Sequence, residues 1–237
     1  MPSLKASPKP TSPASPSVSR APKPTRRRLT PADREQQIVQ NAITVFSQIG
    51  FGASTRELAS ALGVTQPLLY RYFATKDELI ERVYDEVIFR PWNTEWETWL
   101  ADRTTSLGDR LRRYLNDYVH FITRSSLVRL QMYAALAGVA GNAQLHRFIE
   151  NLRERHFKVI ARELRFEYGI PDPIGPEEEA DEIELVWSAH STVYYMGVRQ
   201  WIYGLPPPAN IERTIDLLVD GFLMGAPAVL KRQREGR

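Results

Sequence analysis

From Thr30 onward the apolar residues recur three and four positions apart, and no run shows the sustained alternation of a half-buried strand. This periodicity leaves an all-α fold as the expectation. Thr30, Pro31 and Asp33 start a first helix, Ile38, Ala42, Val45, Phe46 and Ile49 form its apolar stripe, and Gly50 stops it. Ser54 caps a short second helix with Leu58, Ala59 and Leu62 inward. Thr65 caps a third with Pro67 in its first turn and Leu69 and Phe73 inward. Thr75 caps a fourth, with Asp77 and Glu78 at its positive end and Leu79, Ile80, Val83, Tyr84 and Val87 along its buried face. Pro91 has no N–H to give and should end or kink that helix at Arg90.

Further helices are predicted near 93–102, 106–124, 126–137, 142–167, 178–203 and 209–231, with loops at YGIPDPIGP (168–176) and GLPPP (204–208). The acidic run Glu177, Glu178, Glu179, Asp181 and Glu182 reads as support for a helix N-terminus and not as a metal site. Residues 1–30 differ in kind, with seven Pro, six Ser and, after Met1, Leu4, Val18 and Leu29 as their only large apolar side chains, so they read as disordered. They also hold seven Lys and Arg and no acid, which leaves 24 basic against 28 acidic residues in the rest of the chain. A basic tail on a mildly acidic body points to a polyanion met at one end. Arg26, Arg27 and Arg28, just before the first helix, read either as a phosphate-binding arm or as the end of a solvated leader.

The second and third helices, joined across LGVTQ and sharing Leu58, Leu62, Val64 and Leu69 inward, make a helix-turn-helix whose second member can lie in a DNA major groove. On its outer face Gln66 and Arg71 can bond base edges or phosphates, and Pro67 and Leu68 can touch a thymine methyl. Tyr70 and Tyr72 can set hydroxyls on the backbone, and Lys76 can meet a phosphate at the next helix start. Tyr70 reads equally as packing, and Arg56 as the partner of a nearby carboxylate.

Residues 55–79, TRELASALGVTQPLLYRYFATKDEL, with the preceding FSQIGFGAST, resemble the DNA-binding domain of the TetR family of bacterial transcriptional regulators. The resemblance runs to about residue 88; beyond it the chain is similar only in length and helicity. It implies DNA contacts at Thr55, Arg56, Gln66, Pro67, Tyr70, Tyr72 and Lys76. Leu68 departs from the small or hydroxyl residue frequent at its position, so an apolar contact is expected there.

All five Trp lie within 92–203, among aromatics at helical spacing that can as well be core as ligand box. His120, Gln131, His190 and Thr192 supply the polar minority of a ligand pocket. The resemblance implies a small effector in such a body, and Trp96, Tyr118, Phe121, Met132, Tyr133, Trp187, His190 and Tyr194 are the expected lining. The fourth helix runs from Lys76 into this body, so a ligand that tilts it would separate paired recognition helices. The helices near 178–203 and 209–231 carry Ala189, Gly197, Gly221, Gly225 and Ala226 beside Ile183, Val186, Ile215, Leu218 and Phe222, a pattern that suits a four-helix homodimer interface.

Enzyme chemistry has little to work with. There is no Cys, no HExxH spacing among the four His, no Gly-rich phosphate loop after a strand and no GxSxG elbow. No metal or cofactor is expected. Without an apolar run of ~18 residues or a signal core, the expected location is cytoplasmic. The expected organisation is an arm at 1–30, a DNA-binding domain at 31–77 and an effector-binding and dimerisation domain at 78–237. The expected function is a repressor released from palindromic double-stranded operator DNA by a small, largely apolar or aromatic effector. A helical nucleoid or adaptor protein that binds DNA non-specifically is the alternative.

Overall fold

In the computed structural model, residues 29–136 and 139–235 are described, and all regular structure among them is helical. Arg26, Arg27 and Arg28 lie outside the described residues. Four helices form the N-terminal unit: α1 (Pro31–Ile49), α2 (Thr55–Ala61), α3 (Gln66–Tyr72) and α4 (Lys76–Tyr84). Each begins at a hydroxyl residue whose oxygen accepts a first-turn N–H: Thr30 from Asp33, Ser54 from Glu57, Thr65 from Leu68 and Thr75 from Glu78. In α1 and α2 the acid returns the bond and completes a capping box.

Ile38, Val39, Ala42 and Phe46 of α1 are buried against Leu58, Leu62, Leu69, Phe73, Leu79 and Ile80. Ile49, placed on that stripe by its spacing, instead points to solvent, because the chain turns away at Gly50. A polar clasp also ties α1 to α4. Arg82 donates to Glu86 at 2.9 Å and to Gln36 at 3.1 Å, and Gln36 donates to Glu86 at 2.9 Å.

α4 continues through one π-helical turn (Asp85–Phe89) and stops at Arg90, as Pro91 requires. The remaining helices are α5 (Glu95–Ala101), α6 (Leu107–Ile122), α7 (Ser125–Leu136), α8 (Val139–Leu152), α9 (Lys158–Tyr168), α10 (Pro176–Trp201) and α11 (Ile211–Glu235). A second π-helical turn, Arg153–Phe157, joins α8 to α9 and sends His156 and Phe157 into the core. α6 runs through the middle of this larger unit, packed on α5, α10 and α11.

Two buried ion-pair clusters hold its periphery. Glu163 takes bonds from Arg110 at 2.9 Å and Arg103 at 2.8 Å. Burial alone would raise its carboxyl, but the hydrogen bonds from Arg103, Arg110 and Arg162 bring it down to about 2. At the start of α10, Glu178 and Glu182 are buried against Arg234 of α11, at 2.6 Å each, and Arg165 also bonds Glu182. Those two glutamates therefore anchor the end of the chain, beyond the helix-terminal role expected of the acidic run.

Candidate nucleic-acid interface and ligand cavity

The α2–α3 turn needs a residue at positive φ, and Gly63 supplies it at 68°. The turn sets α3 with Leu69 inward and Pro67, Tyr70 and Arg71 exposed, while Gln66, Leu68 and Tyr72 are half-buried. Three expected contact residues meet at one point: Thr55 Oγ1 accepts from Gln66 Nε2 at 3.3 Å and from the Tyr70 hydroxyl at 3.2 Å. This small network holds the start of α2 against the start of α3 and fixes where the Gln66 amide sits. Arg56 is exposed beside it, with no ion pair among the described residues. Arg71 and Leu68 border a broad shallow groove whose opposite wall is Pro31, Arg34 and Gln37 of α1.

Lys76 is engaged within the domain. Its ammonium reaches back to the carbonyl oxygens of Phe51 and, at 2.8 Å, Ala53. Two of its three donors therefore close the α1–α2 connection, whose backbone acceptors have no helical partner. The residue is a strut of the domain in this structure.

Behind the N-terminal unit, among α6, α7, α8 and α10, lies a cavity of about 250 Å³. Five of the eight residues expected to line a pocket do so: Tyr118, Met132, Trp187, His190 and Tyr194. Gln131, expected near it as a polar group, lines it too, with Ile122, Phe148 and Phe157 as further walls. The other three lie elsewhere. Trp96 is buried in an aromatic cluster and donates its indole N–H to Asp117 at 2.7 Å, and Phe121 packs edge-on against Trp92 and Trp96. Tyr133 points to the opposite side of α7, towards α1. His120 and Thr192 are exposed.

His190 joins a buried chain. The Tyr114 hydroxyl lies 2.8 Å from His190 Nε2 and 3.3 Å from His156 Nδ1, and Trp92 stacks on the His156 ring at 5.1 Å. Burial pushes both imidazoles down to about 3, each ring helped by a neighbour, Arg155 for His156 and His156 for His190, so both are neutral near pH 7. Nε2 of His156 is buried without a partner among the described residues. The order that leaves no donor orphaned there is His156 Nδ1–H donating to Tyr114 and Tyr114 donating to His190 Nε2. Tyr118 and Tyr194 are likewise held protonated, burial raising Tyr118 far above its ordinary range and Tyr194 to about 12.

α7 has the cavity on one face and α1 on the other. The final carbonyls of a helix lack intrahelical donors. In α1, Phe46 O is served by the Gly50 N–H at 2.9 Å, whereas Ser47 O accepts from Arg129 at 2.7 Å and Gln48 O from the Tyr133 hydroxyl at 2.8 Å. The Tyr133 ring lies so close to Gly50 that a Cβ there would stand 2.7 Å from Cδ1. No one position along this contact advertised itself in the sequence, since the acceptors are backbone atoms.

The last two helices show which small residues are free. Gly197 is internal, because a Cβ there would come 2.8 Å from Val128 and 3.2 Å from the Thr123 backbone. Ile183, Val186, Ile215 and Ala226 are also core within one chain. Gly221 and Gly225 face open space, beside Leu217 at 65% and Met224 at 83% exposure on α11, and Tyr195 of α10 is also exposed. Among the described residues no cluster of His, Asp and Glu is suited to a metal ion, and no helix is long and apolar enough to cross a membrane.

Residues 38–83 match the family model described as bacterial regulatory proteins, tetR family. The HTH-type transcriptional repressor KstR2 of Mycolicibacterium smegmatis is 30% identical over 82 residues, 34% of this chain and 39% of that protein. The HTH-type transcriptional regulator LuxR of Vibrio harveyi is 31% identical over 64 residues, 27% of this chain and 31% of that one. The chain thus matches less than two-fifths of the length of these relatives. A TetR-like transcriptional regulator from Rhodococcus sp. RHA1 shares the fold at a TM-score of 0.58 and 21% identity, over 85% of this chain and 99% of that one. A tetR-family transcriptional regulator from Streptomyces coelicolor does so at 0.55 and 20%, over 88% and 87%.

Proposed function

Since its DNA-binding unit makes this chain a member of the tetR family of bacterial regulatory proteins, we propose that it is a homodimeric, cytoplasmic repressor of transcription that a small apolar effector releases from its operator. The observation that carries the reading is the double role of α7, which walls the cavity with Gln131 and Met132 and caps the last turn of α1 with Arg129 and Tyr133. A molecule in the cavity that favours a shifted position of that wall carries the capped end of α1 with it. This route replaces the tilt of α4 anticipated from the sequence, because no residue of α4 lines the cavity.

On the DNA side Gln66, held by Thr55, reads a base edge, and Arg56, Arg71, Tyr70 and Tyr72 meet the backbone, with Pro67 and Leu68 against a thymine methyl. The basic arm with Arg26, Arg27 and Arg28 adds phosphate contacts. The DNA-binding domain spans 31–77, and the effector-binding and dimerisation domain follows it. Two chains join through the exposed stripe Leu217, Gly221 and Met224 of α11 with Tyr195 of α10, an apolar surface that a monomer would leave wet. Two copies double a readout that one seven-residue helix makes too short.

The test is selection of bound sequences from random duplex DNA, followed by affinities for Gln66→Ala on the selected and a scrambled site. A palindromic site should emerge, and the variant should lose about 1 to 3 kcal/mol on it if the contact is bidentate, with little change on scrambled DNA. Equal loss on both would remove Gln66 from base reading, and failure to select any site would favour non-specific binding.

A further inference from the structure

We propose that the cavity behind α7 takes an electrically neutral, flat, largely apolar molecule carrying a hydrogen-bond acceptor for the side-chain amide of Gln131. The proposal rests on the reading of the larger unit as ligand-responsive and specifies its ligand.

Charge comes first. No Asp, Glu, Lys or Arg lines the cavity among the described residues. The ionisable groups on the wall are His190, Tyr118 and Tyr194. His190 is tied to Tyr114 in a chain of neutral groups, and both tyrosines keep their protons near pH 7. A carboxylate or ammonium would therefore shed its water and find no opposite charge, a loss that one neutral hydrogen bond does not offset.

Shape and polarity follow. Phe148, Phe157, Trp187 and Tyr118 supply ring faces and edges against which a planar molecule packs with most contact. The volume, about 250 Å³, lies just below the ~300 Å³ at which sites for drug-sized molecules begin, so the occupant is about the size of a substituted bicycle. The specific demand comes from Gln131. The residue is only 4% exposed, it lines the cavity, and its Nε2 has no acceptor among the described residues. A buried amide donor without a partner is a standing cost that a ligand carbonyl, ether or ester oxygen removes. Gln131 also lies between Arg129 and Tyr133 on α7, so the bond that recognises the ligand forms on the element that caps α1.

Three probes of one shape separate these claims: acetylnaphthalene, ethylnaphthalene and naphthoate, substituted at the same ring position and titrated into the full chain by calorimetry and Trp fluorescence. The ketone should bind, the hydrocarbon roughly 3- to 10-fold more weakly for want of one hydrogen bond, and the anion at least about 100-fold more weakly. In Gln131→Leu the ketone and hydrocarbon should bind within about twofold of each other. The empty variant should melt no lower than the parent, since an orphaned donor has been removed. A lower melting temperature would mean that the amide is already satisfied, and would overturn the proposal. Naphthoate binding as tightly as the ketone would overturn neutrality, and a ketone no better than the hydrocarbon in the parent would overturn the acceptor. Both results would leave the ligand-responsive reading intact. Binding of none of the three up to their solubility would overturn that reading together with the proposal.

Discussion

Neutral histidines buried in the core make stability depend on pH in a window where few other groups titrate. His156 and His190 are held down to about 3 in the folded protein, against ~6.5 in an unfolded chain. As pH falls below ~6.5 the unfolded chain gains two protons that the folded one refuses, so stability is lost on acidification at up to ~1.36 kcal/mol per pH unit and histidine. Between pH 8 and pH 5 this amounts to about 2 kcal/mol for each ring and about 4 kcal/mol for the pair, a large part of the ~5 to 15 kcal/mol a domain has. His156→Phe isolates one ring, because Phe keeps the stack on Trp92 and lacks only the 3.3 Å bond to Tyr114. Urea midpoints at pH 8, 6.5 and 5, at one protein concentration, should show the parent losing about 2 kcal/mol more than the variant. Contributions from every other titrating group cancel in that difference. Parallel curves would refute the reasoning, since they require His156 to take up its proton alike in both states.

Lys76→Met should lower folding stability by about 1.5 to 3 kcal/mol, the worth of charged bonds to the Phe51 and Ala53 carbonyls; a normal denaturation curve with weakened DNA binding would assign Lys76 to phosphate contact instead. Deleting residues 1–28 removes seven positive charges and should flatten the dependence of log affinity on log salt by up to ~0.9 for each phosphate that the arm neutralises, whereas an unchanged slope means that the arm does not reach DNA. Met224→Glu, which places a charge on an exposed apolar stripe, should shift sedimentation from dimer to monomer without changing the helical circular dichroism, and a persistent dimer would move the interface elsewhere.

What could be read in the sequence was local. The capping hydroxyls of Thr30, Ser54, Thr65 and Thr75 act on N–H groups three residues away, so each helix start was visible where it occurs. The inward faces of α2 and α3 followed from spacing alone. Features that depend on distant chain were not readable. Glu182 meets Arg234 across 52 positions, and nothing near Glu182 distinguishes an anchored acid from a solvated one. Lys76 bonds backbone oxygens, which have no residue identity to recognise. Trp96 and Trp187 both lie on apolar helix faces, yet Trp187 borders the void and Trp96 is enclosed by other rings, a difference set by how α5 and α10 pack on α6. Helical period identifies a buried face and says nothing about whether the space opposite it is filled.

The coupling between cavity and DNA can be tested on α7 itself. Arg129 and Tyr133 together satisfy two carbonyls at the end of α1, and each neutral bond of this kind is worth ~0.5 to 1.5 kcal/mol net, more where a guanidinium donates. Tyr133→Phe deletes the bond to Gln48 and keeps the ring that packs on Gly50, and Arg129→Leu deletes the bond to Ser47. The double variant should keep its cavity, because neither side chain lines it, and should therefore bind a ligand as the parent does in the absence of DNA. Transmission should suffer instead. A typical coupling of ~1 to 3 kcal/mol makes ligand weaken operator binding ~5- to 150-fold, and by reciprocity operator weakens ligand binding by the same factor. With α1 no longer held at its end by α7, both factors should fall together towards unity. A double variant whose operator affinity still drops by the parental factor on saturation with ligand would show that the signal bypasses α7 and would direct attention to α8, which both borders the cavity and packs on α4.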